Sequence, residues 1–120
     1  MPIRVYHYPR CSTCKKALRW LEGEGIEAQA IHIVESPPSK ALLRRVLRGS
    51  GLPLRKLFNT SGGSYREGGW RDRLPQLSEA EALEALAADP MLIKRPLVEG
   101  EGIHLVGFDA AAWAEAFDRK

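Results

Sequence analysis

Cys11 and Cys14 are the only cysteines in the chain, and they stand three positions apart in Cys11-Ser12-Thr13-Cys14. Thiols at that spacing can exchange disulfides: one attacks as the thiolate and the other resolves the mixed disulfide. The pair falls where a strand pattern hands over to a helix pattern. Ile3, Val5 and His7 alternate with Arg4, Tyr6 and Tyr8, Pro9 stops the alternation, and a helix is expected from Ser12. Free N–H groups and the positive dipole end at a helix start stabilise an anion, and Arg10, Lys15 and Lys16 add positive charge nearby. Both effects lower a thiol pKa, which makes Cys11 the expected nucleophile and Cys14 the expected resolving thiol. Two other readings compete, an ordinary buried pair and a metal site. His7 stands four residues before Cys11, but a structural zinc takes four ligands, and His32 and His104 lie on separate expected strands without ligand-like spacing. The three histidines are therefore read as strand residues, and no metal is expected.

The elements that must position the dithiol follow from periodicity and punctuation. The first helix puts Ala17, Leu18 and Leu21 on one face and ends near Gly23 and Gly25, and Ile26 to Val34 alternates again as a second strand. A short link through a helix implies a parallel β-α-β unit. Ser36-Pro37-Pro38 breaks the strand, and Ser39 caps a helix with Leu42, Leu43, Val46 and Leu47 as its stripe and Gly49 and Gly51 at its end. Arg44, Arg45 and Arg48 share that helix and read as a solvated basic face. Pro53 to Phe58 reads as a helical turn, residues 59–64 as a loop, and Tyr65 to Leu77 as short helical pieces. Ser78 and Glu81 form a capping box for a helix that Asp89-Pro90 closes. Met91 to Val98 and Ile103 to Val106, joined through Gly100-Glu101-Gly102, predict a β-hairpin, and Asp109 caps a last helix packing Ala112, Trp113, Ala116 and Phe117.

Composition bounds the rest. With 120 residues, 44% hydrophobic and 28% charged, the chain fits one compact globular domain. No apolar run approaches the roughly 18 residues of a membrane span, and Met1-Pro2-Ile3-Arg4-Val5-Tyr6 reads as a strand, with no signal peptide. A cytoplasmic protein with reduced thiols is expected. The net charge of +3 permits an acidic partner without implying one, and neither direct nucleic-acid binding nor membrane association is expected.

The order β-α-β, helical middle, β-β-α predicts an α/β thioredoxin-like fold with a small mixed sheet, in which residues 36–89 are a helical insertion within a single domain 1–120. Pro96 alone reads as an edge-strand proline, but in such a fold the strand-starting proline follows a cis peptide and faces the active cysteine. Arg95 before it brings a fixed positive charge toward the thiolate or a bound oxyanion.

The motifs converge on a family. Residues 8–17 (Tyr-Pro-Arg-Cys-Ser-Thr-Cys-Lys-Lys-Ala), Glu35 to Ser39, Leu92-Ile93-Lys94-Arg95-Pro96-Leu97 and Val106-Gly107-Phe108 resemble the arsenate reductase (ArsC)-like family. That family includes glutaredoxin-coupled arsenate reductases and the Spx transcription regulators. The resemblance implies a thioredoxin fold with a helical insertion and a nucleophile at Cys11. Arsenate reductases of the family lack the second cysteine of C-x-x-C and bind the oxyanion with three arginines. Arg95 matches one, while Asn59 and Gly107 occupy the other two positions. The C-x-x-C and Val106-Gly107-Phe108 look more like the Spx branch, which uses the dithiol as a redox switch and binds the C-terminal domain of the RNA polymerase α subunit. The expectation is a cytosolic thiol–disulfide redox protein in which Cys11 attacks, Cys14 resolves, and Arg95 and Pro96 shape the substrate site. It would hold no bound cofactor, and would exchange with a thiol or disulfide redox partner, with glutathione, glutaredoxin or thioredoxin as electron donor. An Spx-like regulator and a glutaredoxin-coupled arsenate reductase are the alternatives.

Overall fold

The computed structural model describes residues 2–118; Met1, at the head of the expected first strand, lies outside the described residues, as do Arg119 and Lys120. Strand β1, Ile3–His7, leads into helix α1, Ser12–Gly23, and the chain returns through β2, Ala28–His32, parallel to β1 with Ile3 opposite Ala28 and His7 opposite His32. Helix α2, Lys40–Ser50, is followed by a 3₁₀ turn at Leu54–Leu57, by α3 (Gly63–Glu67) and α4 (Trp70–Arg73), and by α5, Glu79–Ala88. Strands β3, Leu97–Gly100, and β4, Ile103–Val106, form the terminal hairpin, and α6, Ala110–Ala116, closes the order. The sheet runs β2-β1-β3-β4, with β3 antiparallel to both β1 and β4. This mixed sheet between helical layers is a thioredoxin fold.

Strand alternation builds the layers. Val5 and Val98, paired across β1 and β3, face the core beneath α1 and α6 with Ile3, Ala17, Leu21 and Trp113. Tyr6 and Leu97, also paired, face the opposite core, which holds Leu43, Val46, Phe58, Leu83, Leu86 and Ile93. One residue of slip would send each set to the wrong side. The expected caps are present: Ser39 Oγ accepts from Leu42 N at 3.0 Å, and Ser78 and Glu81 bond reciprocally.

Three expected boundaries move. The second strand, expected over residues 26–34, spans only Ala28–His32, because His32 Nδ1 accepts from the N–H groups of Val34 and Glu35, both at 3.2 Å, and curls the chain into a turn. The expected strand from Met91 starts at Leu97 instead: Pro90–Leu92 is a 3₁₀ turn capped by Asp89. Gly49 lies inside α2 and does not end it, since the His104 ring of β4 lies against its Cα where any Cβ would collide; Gly51, at φ +70°, makes the left-handed exit.

Arg44, Arg45 and Arg48 do not form a free basic face. Arg48 makes a forked pair with Glu79, at 2.8 and 2.7 Å, and Arg45 donates to Glu99 at 2.7 and 3.0 Å. Glu99, 3% exposed on β3, also accepts from Arg4 at 3.0 Å and lies 3.6 Å from His104 Nε2. One carboxylate thus ties β3 to β1, α2 and β4. Among the described residues, no helix is long and apolar enough to cross a membrane.

Candidate active site

Pro9 and Arg10 turn the chain out of β1, and the N–H of Cys11 returns to the Tyr8 carbonyl at 3.0 Å. This leaves Cys11 extended, at φ −90° and ψ 112°, as the N-cap of α1. Its sulfur takes the place a serine or aspartate oxygen would take: the Cys14 N–H donates to Cys11 Sγ at 3.3 Å. Both cysteines are free; Cys11 is half-buried and Cys14 is 1% exposed.

This asymmetry divides the two thiols. Burial, the largest single influence on Cys11, raises its pKa. The Cys14 thiol, the Cys14 N–H, the Arg95 charge and the Thr13 N–H all favour the thiolate, and together they bring Cys11 below an ordinary thiol. Cys14 is pushed up to about 12, first by burial, then by its hydrogen bond to Cys11 and the charge there. The flanking Arg10, Lys15 and Lys16, expected from the sequence to supply the positive charge, are not among these influences; the helix start and the distant Arg95 are.

Arg95 reaches the dithiol through a crossing of two segments. Residues 57–59 run antiparallel to 92–94: Asn59 N donates to Leu92 O and Lys94 N to Leu57 O, both at 2.7 Å, with Phe58 bridged to Ile93. Arg95 Nη1 donates to the carbonyls of Met91, at 3.4 Å, and Ile93, at 3.3 Å, and its guanidinium carbon lies 5.2 Å from the Tyr8 ring centroid. Its Nε is buried without a partner among the described residues. The Arg95–Pro96 peptide is cis, as the fold led one to expect; Pro96 is buried and its carbonyl accepts from Gly107 N at 2.8 Å.

Cys11, Thr13, Asn59, Ser61, Lys94 and Arg95 line a pocket of about 250 Å³. Larger hollows between α1 and β2 and between α2 and β4 are lined by no thiol. Of the expected site residues, Cys11 and Arg95 line this pocket, Cys14 stands behind Cys11, and Pro96 is absent from the lining. Asn59, singled out through the family resemblance, does line it. Gly107 does not, but its bare Cα faces Lys94: a Cβ there would meet Lys94 Cε at 3.4 Å. Lys94, Thr13 and Ser61 were not anticipated as site residues. Lys94 sits on no periodic pattern and Ser61 is one polar residue in a polar loop, so no local signal separated them from their neighbours.

The histidines lie elsewhere. His7 and His32 are neighbours on β1 and β2, with ring centroids 6.3 Å apart; burial, and then the His32 charge, lower the His7 pKa. None of the three lines the pocket, and no group of three or more potential metal ligands occurs among the described residues.

The family model described as the ArsC family matches residues 6–116. The chain belongs to the ArsC family. It is 52% identical over 109 residues to the uncharacterized protein YusI of Bacillus subtilis, covering 90% of this chain and 92% of that one. It is 34% identical over 98 residues to an arsenate reductase of Rhizobium meliloti, covering 82% and 69% respectively. The crystal structure of an ArsC-family-related protein from Bacteroides fragilis superposes with a TM-score of 0.92 at 40% identity, over 97% of this chain and 98% of that one. For this ArsC-family chain, the match extends from β1 through α6 and takes in the dithiol, the Asn59 loop and the Lys94-Arg95-Pro96 segment.

Proposed function

We propose that this ArsC-family protein carries out thiol–disulfide exchange with Cys11 as nucleophile and Cys14 as resolving thiol. The observation that carries the reading is the capped dithiol: one half-buried sulfur accepting the Cys14 N–H at 3.3 Å, with its thiol lowered, above a buried partner held protonated to about 12. Cys11 thiolate attacks a substrate disulfide, forming a mixed disulfide and expelling one substrate thiolate with the electron pair of the broken bond. Cys14 then loses its proton and attacks the Cys11 sulfur, closing the Cys11–Cys14 disulfide and releasing the second substrate thiol. Once Cys11 is in the mixed disulfide its negative charge is gone. One of the influences that hold Cys14 protonated goes with it, so Cys14 activates only after the first step. A glutathione-, glutaredoxin- or thioredoxin-type donor returns the two electrons. Arg95 favours the thiolate, and Pro96 fixes the backbone that presents it.

Arsenate reduction, the activity named for the Rhizobium meliloti relative, is less favoured, because Asn59 and Gly107 supply no guanidinium. Docking to the RNA polymerase α subunit is less favoured as well, because Arg45 and Arg48 are already engaged by Glu99 and Glu79. The test is a single turnover with Cys14→Ser. The wild type oxidised by a small disulfide should yield an intramolecular Cys11–Cys14 bond and two equivalents of released thiol, whereas the variant should stop at the mixed disulfide on Cys11 with one equivalent. Mixed disulfide persisting in the wild type would remove Cys14 from the resolving role.

A further inference from the structure

Two cations line the pocket at Cys11 and no carboxylate does. Arg95 is partly committed, with Nη1 on the carbonyls of Met91 and Ile93 and its face toward Tyr8. Lys94 is different: it is exposed, lines the pocket, and makes no ion pair with any described residue, although six ion pairs occur elsewhere among them. Its stem passes beside Gly107, where a Cβ would make ordinary contact with Lys94 Cε at 3.4 Å. Gly107 is held at φ +73° by its N–H on the Pro96 carbonyl, at 2.8 Å, and by Trp113 Nε1 on its own carbonyl, at 3.0 Å. The other lining residues, Asn59, Ser61 and Thr13, add an amide and two hydroxyls. An ammonium on a flexible stem acts as a point charge and suits a small anion that arrives in varied geometry.

We infer that Lys94 selects the substrate, drawing in disulfides that carry a carboxylate close to the reacting sulfur while Cys11 attacks. This rests on Cys11 being the nucleophile, as proposed above. The bonds and electrons are those of the exchange: the substrate S–S bond breaks, the Cys11–Cys14 bond forms, two electrons pass to the substrate, and it leaves as two thiols. A single turnover of reduced protein needs no other reductant.

The experiment measures single-turnover rates of the reduced full-length chain with three disulfides of similar size: dithiodipropionic acid, which is anionic, hydroxyethyl disulfide, which is neutral, and cystamine, which is cationic. Each charged probe is divided by the neutral one, which cancels any change in Cys11 reactivity itself. The wild type should rank anionic above neutral above cationic. Lys94→Gln should lower the anionic-to-neutral ratio by about 1.4- to 5-fold, the range for one solvent-exposed charge pair. Lys94→Glu should reverse the order of the anionic and cationic probes, and added salt should compress the wild-type spread. Lys94 holds Leu57 through its main-chain N–H, so both substitutions leave that link in place. An anionic-to-neutral ratio unchanged in Lys94→Gln would overturn the inference while leaving the dithiol chemistry standing. Failure of the wild type to react even with the neutral disulfide would instead bring down the exchange reading, and this inference with it.

Discussion

Replacing Glu99 by glutamine tests the link between charge and architecture on which the site depends. Glu99 is 3% exposed and accepts three hydrogen bonds from two guanidinium groups, Arg45 at 2.7 and 3.0 Å and Arg4 at 3.0 Å. It lies on β3, whose first residue follows the Arg95–Pro96 peptide, so its ties help fix the strand that presents Arg95. Removing one partner of a fully buried ion pair costs about 3–5 kcal/mol. The Arg45 side chain is 52% exposed and that of Arg4 27%, so water takes over part of the lost interaction. A loss of roughly 2–3 kcal/mol follows for Glu99→Gln, or on the order of 10 °C in Tm for a domain of this size. The pH dependence has a definite sign. The Arg45 hydrogen bonds, opposed by burial and aided by the charges of Arg45, Arg4 and His104, hold the Glu99 carboxyl below the ordinary carboxylate range. Its stabilisation is therefore complete above the unfolded carboxylate pKa of about 4.3 and is lost as the pH falls through the lower folded value. Urea unfolding of both proteins, at neutral pH and at steps into acid, should show a gap that closes as the solution becomes acidic. A neutral-pH gap under about 0.5 kcal/mol, or one that holds constant through the acid range, would refute the reasoning.

Two further outcomes concern the dithiol. Iodoacetamide should alkylate Cys11 with a midpoint below the free-thiol value of about 8.5, while Cys14 stays unreactive until strongly alkaline pH; a Cys11 midpoint at or above the free value would remove the helix-start and Arg95 argument. Arsenate-dependent NADPH consumption, assayed with glutathione, glutaredoxin and glutathione reductase, should be low, since each missing charged hydrogen bond forfeits roughly 1.5–3 kcal/mol. Robust turnover at low arsenate would mean that Lys94 and Asn59 replace the absent guanidinium groups.

Much of the molecule was legible residue by residue. Alternation in Ile3–His7, the Ser39 cap and the Ser78–Glu81 capping box each depend on neighbours within four positions, and each appears where the pattern put it. Boundaries moved where a side chain acted on the backbone, as His32 does in ending β2 with its ring nitrogen. The placement of Gly49 inside α2 was invisible for another reason: the His104 ring it accommodates comes from β4.

The candidate site divides in the same way. Cys11 and Cys14 at the start of a helix, and Arg95 before Pro96, could be singled out because short-range order determines a thiol at an N-cap and a proline at a strand start. The source of the thiolate's stabilisation could not, because the obvious flanking cations Arg10, Lys15 and Lys16 are absent from it while Arg95 arrives from a remote segment. Lys94 entered the pocket only when the 57–59 and 92–94 segments paired. The Glu99 hub likewise draws its cations from β1, α2 and β4. The sequence by itself determined the helix caps, the strand alternation and the placing of a cysteine at the start of α1, because each is a local balance of hydrogen bonds and burial. The tertiary structure decided which charges meet, because electrostatic partners are set by distance in space, and that distance exists only after the layers have packed.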